Sequence, residues 1–202
     1  MKERIRMNGG GYWDPLPAVR TSAGTPVPGA RPGTIQVLPE PETYLLGSWP
    51  ERSWQSVPGP LYGGGTDTCW TGRLVAPAHI LYDDESGEEF VYRQPRAPEQ
   101  VRAVLFAALN DPFGGYGWDG DQHWTPESVR SWWRDRGRLR EWAAKVSVAW
   151  AEHEQPDHRE MVTGLPDFLG YLDGELACDL RTYLFWLQER RSPRQEEALP
   201  QL

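Results

Sequence analysis

The second half of the chain carries large apolar side chains at intervals of three and four residues, the spacing of one buried face of an α-helix. The motif Thr-Pro-Glu at 125–127 precedes the first such stretch and matches a usual helix start: an N-cap, a proline and an acidic residue. The pattern predicts either one long helix to about residue 152 or two helices with a bend at Gly137. A last helix is predicted from about Pro166 to Arg191.

The first half has shorter apolar segments separated by glycine and proline. Residues 34–38 and 43–47 are two candidate strands joined by a proline-containing turn. Residues 78–82 and 88–92 flank the turn-forming segment Asp-Asp-Glu-Ser-Gly, which predicts a β-hairpin. Residues 98–110 have helical spacing. Strands grouped before helices predict an α+β fold, with three to four helices packed on short antiparallel strands.

Composition divides the chain into three parts. Glycine and proline dominate residues 1–33, which predicts a flexible arm. Residues 34–191 are predicted to form a single globular α+β domain, since 202 residues suffice for one well-buried core. Residues 192–202 are predicted to be a disordered, acidic tail.

The chain is acidic, with a formal net charge of −8 and an isoelectric point of about 5.1. A field of this sign repels a phosphate backbone and an anionic membrane surface, so neither nucleic acid nor a membrane is expected as a partner. A basic protein suits the charge better. Acidity also keeps a protein in solution without recruiting anything, and this alternative stays open.

Several features favour a soluble protein of the cytoplasm. The two cysteines form no Cys-x-x-Cys pair and no disulfide framework. The first residues, MKERIRMNGGGYW, lack the apolar segment of a secretory signal. No apolar run approaches the roughly 18–20 residues of a membrane span.

The strongest candidate for chemistry is the loop before the predicted helix start. Asp119, Asp121 and His123 alternate along it, so their side chains would converge if the loop is extended. Such a mixed set of oxygen and nitrogen ligands suits zinc, manganese or iron better than calcium. Trp118 and Trp124 would form the walls of a polar pocket. The alternative is a turn in which the aspartates bind backbone amides and position these tryptophans. No cofactor is predicted.

A second candidate is the glycine-rich segment from Gly63 to Trp70. Its three glycines could form an anion-binding nest, and Asp67 and Trp70 are candidate binding residues. Cys69 is either a nucleophile activated by a nearby histidine or a small buried residue. The segment lacks the Gly-Lys-Ser/Thr of a phosphate-binding P-loop.

Two known functional sequence motifs are not supported by this chain. Residues 115–120 match Gly-x-Gly-x-x-Gly, but a predicted helix precedes them where a dinucleotide site needs a strand. No Gly-x-Ser-x-Gly motif occurs. The sequence therefore favours a non-catalytic acidic interaction protein, of the inhibitor or immunity type, that neutralises a basic protein partner. The alternative is an enzyme or small-ligand-binding protein that uses residues 111–125, with or without a metal.

Overall fold

A computed structural model of the chain describes residues 11–29, 33–66, 71–152, 162–194 and 196–202. The fold is α+β, as predicted, and the described residues are rich in helix. The helices are α1 (Leu16–Arg20), α2 (Thr71–Val75), α3 (Pro98–Asn110), α4 (Gly120–His123), α5 (Pro126–Arg134), α6 (Gly137–Ala151), α7 (Gly164–Asp173) and α8 (Leu176–Glu189). The strands are β1 (Tyr62–Gly63), β2 (Ile80–Asp83), β3 (Glu88–Val91) and β4 (Tyr116–Gly117). They form two antiparallel pairs, β1 with β4 and β2 with β3.

The predicted hairpin is confirmed as β2 and β3. Gly87 lies in the turn with a φ of 73°, a backbone conformation that favours glycine. Cross-strand partners Ile80 and Val91 belong to one buried cluster, while the next pair, Leu81 and Phe90, belongs to another. Because successive side chains of a strand point to opposite faces, the hairpin lies between two cores.

The two cores use different elements. The helical core contains the buried faces of α6, α7 and α8 together with Leu81 and Phe90. The α3 core contains the buried face of α3, side chains of the N-terminal segment, and Ile80 and Val91. The indole Nε1 of Trp142 in α6 donates a hydrogen bond to Asp83 Oδ1 at 2.9 Å, which ties the helical core to the hairpin.

The predicted helix start at Thr125 is confirmed. Thr125 accepts a hydrogen bond from the backbone N–H of Ser128, and the Ser128 hydroxyl accepts one from the N–H of Thr125. The following stretch forms two helices, α5 and α6, separated before Gly137. The single helix predicted from Pro166 to Arg191 is wrong, because Gly174 adopts a non-helical conformation (φ −115°, ψ −97°) between α7 and α8.

The two strands predicted at 34–38 and 43–47 are also wrong. Residues Pro41–Thr43 form a 3-10 turn, and the first segment contributes only one isolated bridge, from Val37 to Pro26. Pro39 and Pro41 lack the backbone N–H that a strand ladder requires. The apolar residues Leu38 and Leu45 are nevertheless buried in the α3 core.

The described parts of the predicted arm and tail contact the rest of the fold. Within the arm, α1 packs on α3, and Val19 is fully buried. In the tail, the Arg181 side chain donates to the carbonyls of Leu199 and Pro200, and Leu202 packs against the helical core. The average composition of a segment does not reveal the few residues that contact the rest of the fold. The division of the chain into one domain with two appendages stays a prediction.

Across the described ranges, no helix is long and apolar enough to cross a membrane.

Candidate functional site

Asp119 and His123 lie in contact at the surface. They stand four residues apart across the single turn of α4, where such side chains lie on the same face. The His123 Nε2 lies 2.8 Å from Asp119 Oδ2, and the two side chains are 35% and 38% exposed. The imidazole also stacks on Trp49, with ring centroids 4.8 Å apart and an interplanar angle of 14°. The histidine is therefore held on its edge and on one face.

A tyrosine holds the other oxygen of Asp119. The Tyr62 hydroxyl donates to Asp119 Oδ1 at 2.6 Å and also lies 3.2 Å from the Gly47 carbonyl. Burial alone would raise the pKa of Asp119, but the hydrogen bonds from Tyr62 and His123 outweigh it and lower the pKa below its usual value. Burial, followed by the bond to Asp119, raises the pKa of Tyr62. Asp119 is therefore stabilised as a carboxylate.

Arg52 completes this group of side chains. Its guanidinium lies 4.5 Å from the ring centroid of Trp49 and 4.7 Å from that of Trp124. The two indoles meet edge to face, 5.2 Å apart. Burial lowers the pKa of Arg52. We call the six residues the Trp49 cluster: Trp49, Arg52, Tyr62, Asp119, His123 and Trp124.

Asp121 does not join Asp119 and His123. It is only 7% exposed, and its Oδ1 accepts a hydrogen bond from the Tyr183 hydroxyl at 2.6 Å. Its Oδ2 is buried and has no hydrogen-bond partner within the described residues, and the same holds for the Tyr12 hydroxyl. Burial raises the pKa of Asp121 to about 6.

The structure therefore brings together two of these three residues and leaves Asp121 apart. In an extended loop, alternate residues share a face, but this segment curls into a helical turn, and residue i+2 then lies away from i and i+4. In the part of the chain that the structure describes, no group of three or more potential metal ligands occurs.

The two predicted wall residues separate in the same way. Trp118 is half-buried against the α3 core, whereas Trp124 is buried in the helical core. They do not form two walls of one pocket. The other candidates, Asp67, Cys69 and Trp70, lie outside the described residues.

The sequence interpretation did not place Trp49, Arg52 and Tyr62 beside Asp119. The available signal was the aromatic loop from 49 to 65, but its distance of some sixty residues from Asp119 gave no indication of contact. Their contact depends on the pairing of β1 with β4, in which Tyr62 lies opposite Gly117.

The arrangement supplies an oriented imidazole. An Nε2–H that donates to Asp119 leaves Nδ1 with a lone pair, and Nδ1 forms no hydrogen bond with any described residue. Such a group can exchange a proton or bind a ligand at the surface.

No family model, curated protein or solved structure matches the chain.

Proposed function

We propose that this protein acts without catalysis, by binding a positively charged protein in the manner of an inhibitor or immunity protein. The observation that supports the proposal is that most described arginine side chains contact groups of the same chain. Six arginines stack on aromatic rings of the same chain, with guanidinium-to-centroid distances from 3.8 to 5.0 Å: Arg52, Arg93, Arg136, Arg138, Arg190 and Arg191.

Most other described cations also have partners inside the fold. Arg96, Arg102, Arg140 and Lys145 form ion pairs with carboxylates. Arg130 and Arg181 donate to backbone carbonyls of the C-terminal segment. These ion pairs and hydrogen bonds lie within the chain, and the charge of each cation remains.

Carboxylates are spread over the exposed surface in several elements. Examples are Glu40, Glu42, Glu51, Glu127, Glu141, Glu152, Asp167 and Glu189. With a net charge of −8, this surface attracts a basic protein over a distance and accelerates association. We place this activity in the cytoplasm, where thiols such as that of Cys178 remain reduced.

The test is association kinetics with a partner captured by the immobilised protein. We expect a basic partner whose association rate falls at least about tenfold from low salt to about 0.5 M salt, because salt screens long-range attraction. Replacing Glu40, Glu42 and Glu51 with glutamine should slow association. As matched controls, Arg20→Gln and Arg194→Gln should leave it unchanged or speed it. A partner of neutral or acidic charge, or a rate independent of salt, would contradict the proposal.

A second candidate function is binding of a small ligand or a reaction at residues 111–125. The observation that favours it is the exposed His123 imidazole, oriented by Asp119 and Trp49. If a metal takes part, purified protein should contain it stoichiometrically, and His123→Ala should lose it. Gln122→Ala, on the same exposed turn, is the matched control. Metal-free, fully folded protein would remove the metal-dependent form of this candidate.

A further inference from the structure

A small cavity of about 80 Å³ lies where the segment after Trp49 meets the junction of α5 and α6. Two of its lining residues are arginines and two are tryptophans. The lining consists of Arg52, Trp54, Trp132, Asp135, Arg138 and Leu139. We propose that this cavity binds a single oxyanion group of the phosphate type, independently of the function proposed above.

Arg52 is a partly buried cation without a counterion. It forms no ion pair with any described residue; one of its nitrogens donates to the Ser53 carbonyl at 3.0 Å. Its Nε is buried and has no hydrogen-bond partner in the described part of the chain. Withdrawing a guanidinium from water without an opposite charge is unfavourable. A bound anion in the cavity that Arg52 lines would supply the missing opposite charge.

Arg138 is held at the same cavity. Its guanidinium lies 4.3 Å from the ring centroid of Trp54. The Trp132 indole donates to the backbone carbonyl of Trp54 at 3.0 Å, which ties the main chain at Trp54 to α5. Two residues further along α6, Arg140 forms an ion pair with Asp173, whereas Arg138 has no carboxylate partner among the described residues. Stacking therefore leaves the donors of Arg138 available in a restricted position.

The remaining lining residues define the ligand. Asp135 is the one carboxylate there, so the charged lining residues carry a net positive charge, in contrast to the chain as a whole. Liquid water occupies about 30 Å³ per molecule, so the volume holds roughly two or three waters. This suits one oxyanion group. The acidic surroundings disfavour an extended polyphosphate or nucleic-acid backbone.

The experiment measures thermal unfolding and ³¹P line width during titration with inorganic phosphate and, separately, with O-phosphoserine. Potassium chloride at the same ionic strength is the reference. We expect a saturable increase in Tm with phosphate that chloride does not reproduce, because a ligand that binds only the folded state stabilises it. Binding of both probes would indicate that a phosphomonoester enters the cavity, and binding of phosphate alone would indicate the free ion.

Arg138→Gln should weaken phosphate binding about tenfold, because it removes charge-assisted hydrogen bonds. Arg140→Gln is the matched control, with the same change of charge two residues away, and should bind as the unaltered protein does. Each increase in Tm is taken relative to the same variant without phosphate. Arg52→Gln should also lose binding. If Arg52→Gln does not fold, the test depends on Arg138→Gln, because Arg138 is exposed.

Asp135→Asn gives a result in the opposite direction. Removing the one carboxylate of the lining should strengthen phosphate binding several-fold. The proposal is overturned if phosphate stabilises no more than chloride, or if Arg138→Gln, Asp135→Asn and Arg140→Gln all bind it equally.

Discussion

At the scale of single residues, Asp121 is the side chain whose environment is least typical of its chemistry. Its carboxyl group is buried beside Tyr183, with one oxygen bonded and the other without a partner in the described structure. Besides burial, Asp14 raises its pKa, while Tyr183, Arg190 and Arg20 lower it. Burial prevails, because a desolvated carboxyl group favours its neutral form.

Asp121→Asn should therefore change how stability depends on pH. The folded-state pKa, about 6, lies above the unfolded value, so the stability that Asp121 contributes is present at pH 4 and is lost as the pH rises through 6. At pH 8, Asp121→Asn should be more stable than the unaltered protein by on the order of 2 kcal/mol, and near pH 4 the two should be similar. Urea unfolding from pH 4 to 8 measures this. Asp167→Asn, at an exposed position, is the control; parallel pH profiles for Asp121→Asn and the unaltered protein would contradict the assignment.

The pKa of Asp119 is shifted in the opposite direction to that of Asp121, because the Asp119 carboxylate accepts two hydrogen bonds. Tyr62→Phe removes the bond at 2.6 Å and keeps the ring that packs edge to face on Trp49. The pKa of Asp119 should then rise towards or above its usual value, since burial remains while one stabilising bond is lost. Carboxyl carbon chemical shifts in a pH titration report this pKa. An unchanged Asp119 titration in Tyr62→Phe would show that His123 alone holds the carboxylate.

At the scale of secondary-structure elements, the start of α5 depends on a capping box that its own sequence supplies. Thr125→Ala leaves the N–H of Ser128 without its side-chain acceptor at 3.1 Å. We expect the free energy of unfolding to fall by about 1 kcal/mol. The loss is measured as a lower midpoint of urea unfolding, with the dependence of the free energy on urea concentration unchanged. Ser128→Ala and the double variant complete a cycle, in which the two losses should not add because the bonds are reciprocal; fully additive losses would speak against a coupled cap.

The elements that the sequence predicts correctly are those with a local cause. The hairpin has turn-forming residues and a glycine at positive φ, and α5 has its cap within four residues of chain. The segments 34–38 and 43–47 are apolar, but prolines beside them remove the backbone donors that a strand ladder needs. Leu38 and Leu45 are buried, whereas Ile35, Val37 and Leu46 are exposed, so residue type alone predicted neither the burial nor the backbone conformation.

The candidate site could likewise be predicted from the sequence only in part. Asp119 and His123 could be singled out from residue type, but their contact, and the exclusion of Asp121, follow from one turn of α4. The approach of Trp49 and Tyr62 depends on pairing between β1 and β4, which is set by contacts more than fifty residues apart in sequence. Such contacts leave no pattern in a single sequence.

At the scale of the whole molecule, the hairpin couples the helical core and the α3 core. Phe90 packs edge to face on Trp142 and Phe168 in the helical core, and its neighbour Val91 is buried in the α3 core. A disturbance on one face of β3 therefore reaches the other face through the same backbone. This predicts that the two cores unfold together, as one cooperative unit.

Phe90→Ala tests this coupling. Removing a fully buried aromatic ring should lower the free energy of unfolding by about 3–5 kcal/mol. The loss should appear equally in tryptophan fluorescence, to which the helical core contributes Trp142 and Trp150, and in hydrogen exchange of the amides of α3, whose buried side chains belong to the α3 core. Val148→Ala, at an exposed position on α6, is the control and should change neither. If α3 amides keep their protection while fluorescence shows the loss, the two cores are separate folding units and the predicted single domain at 34–191 is wrong.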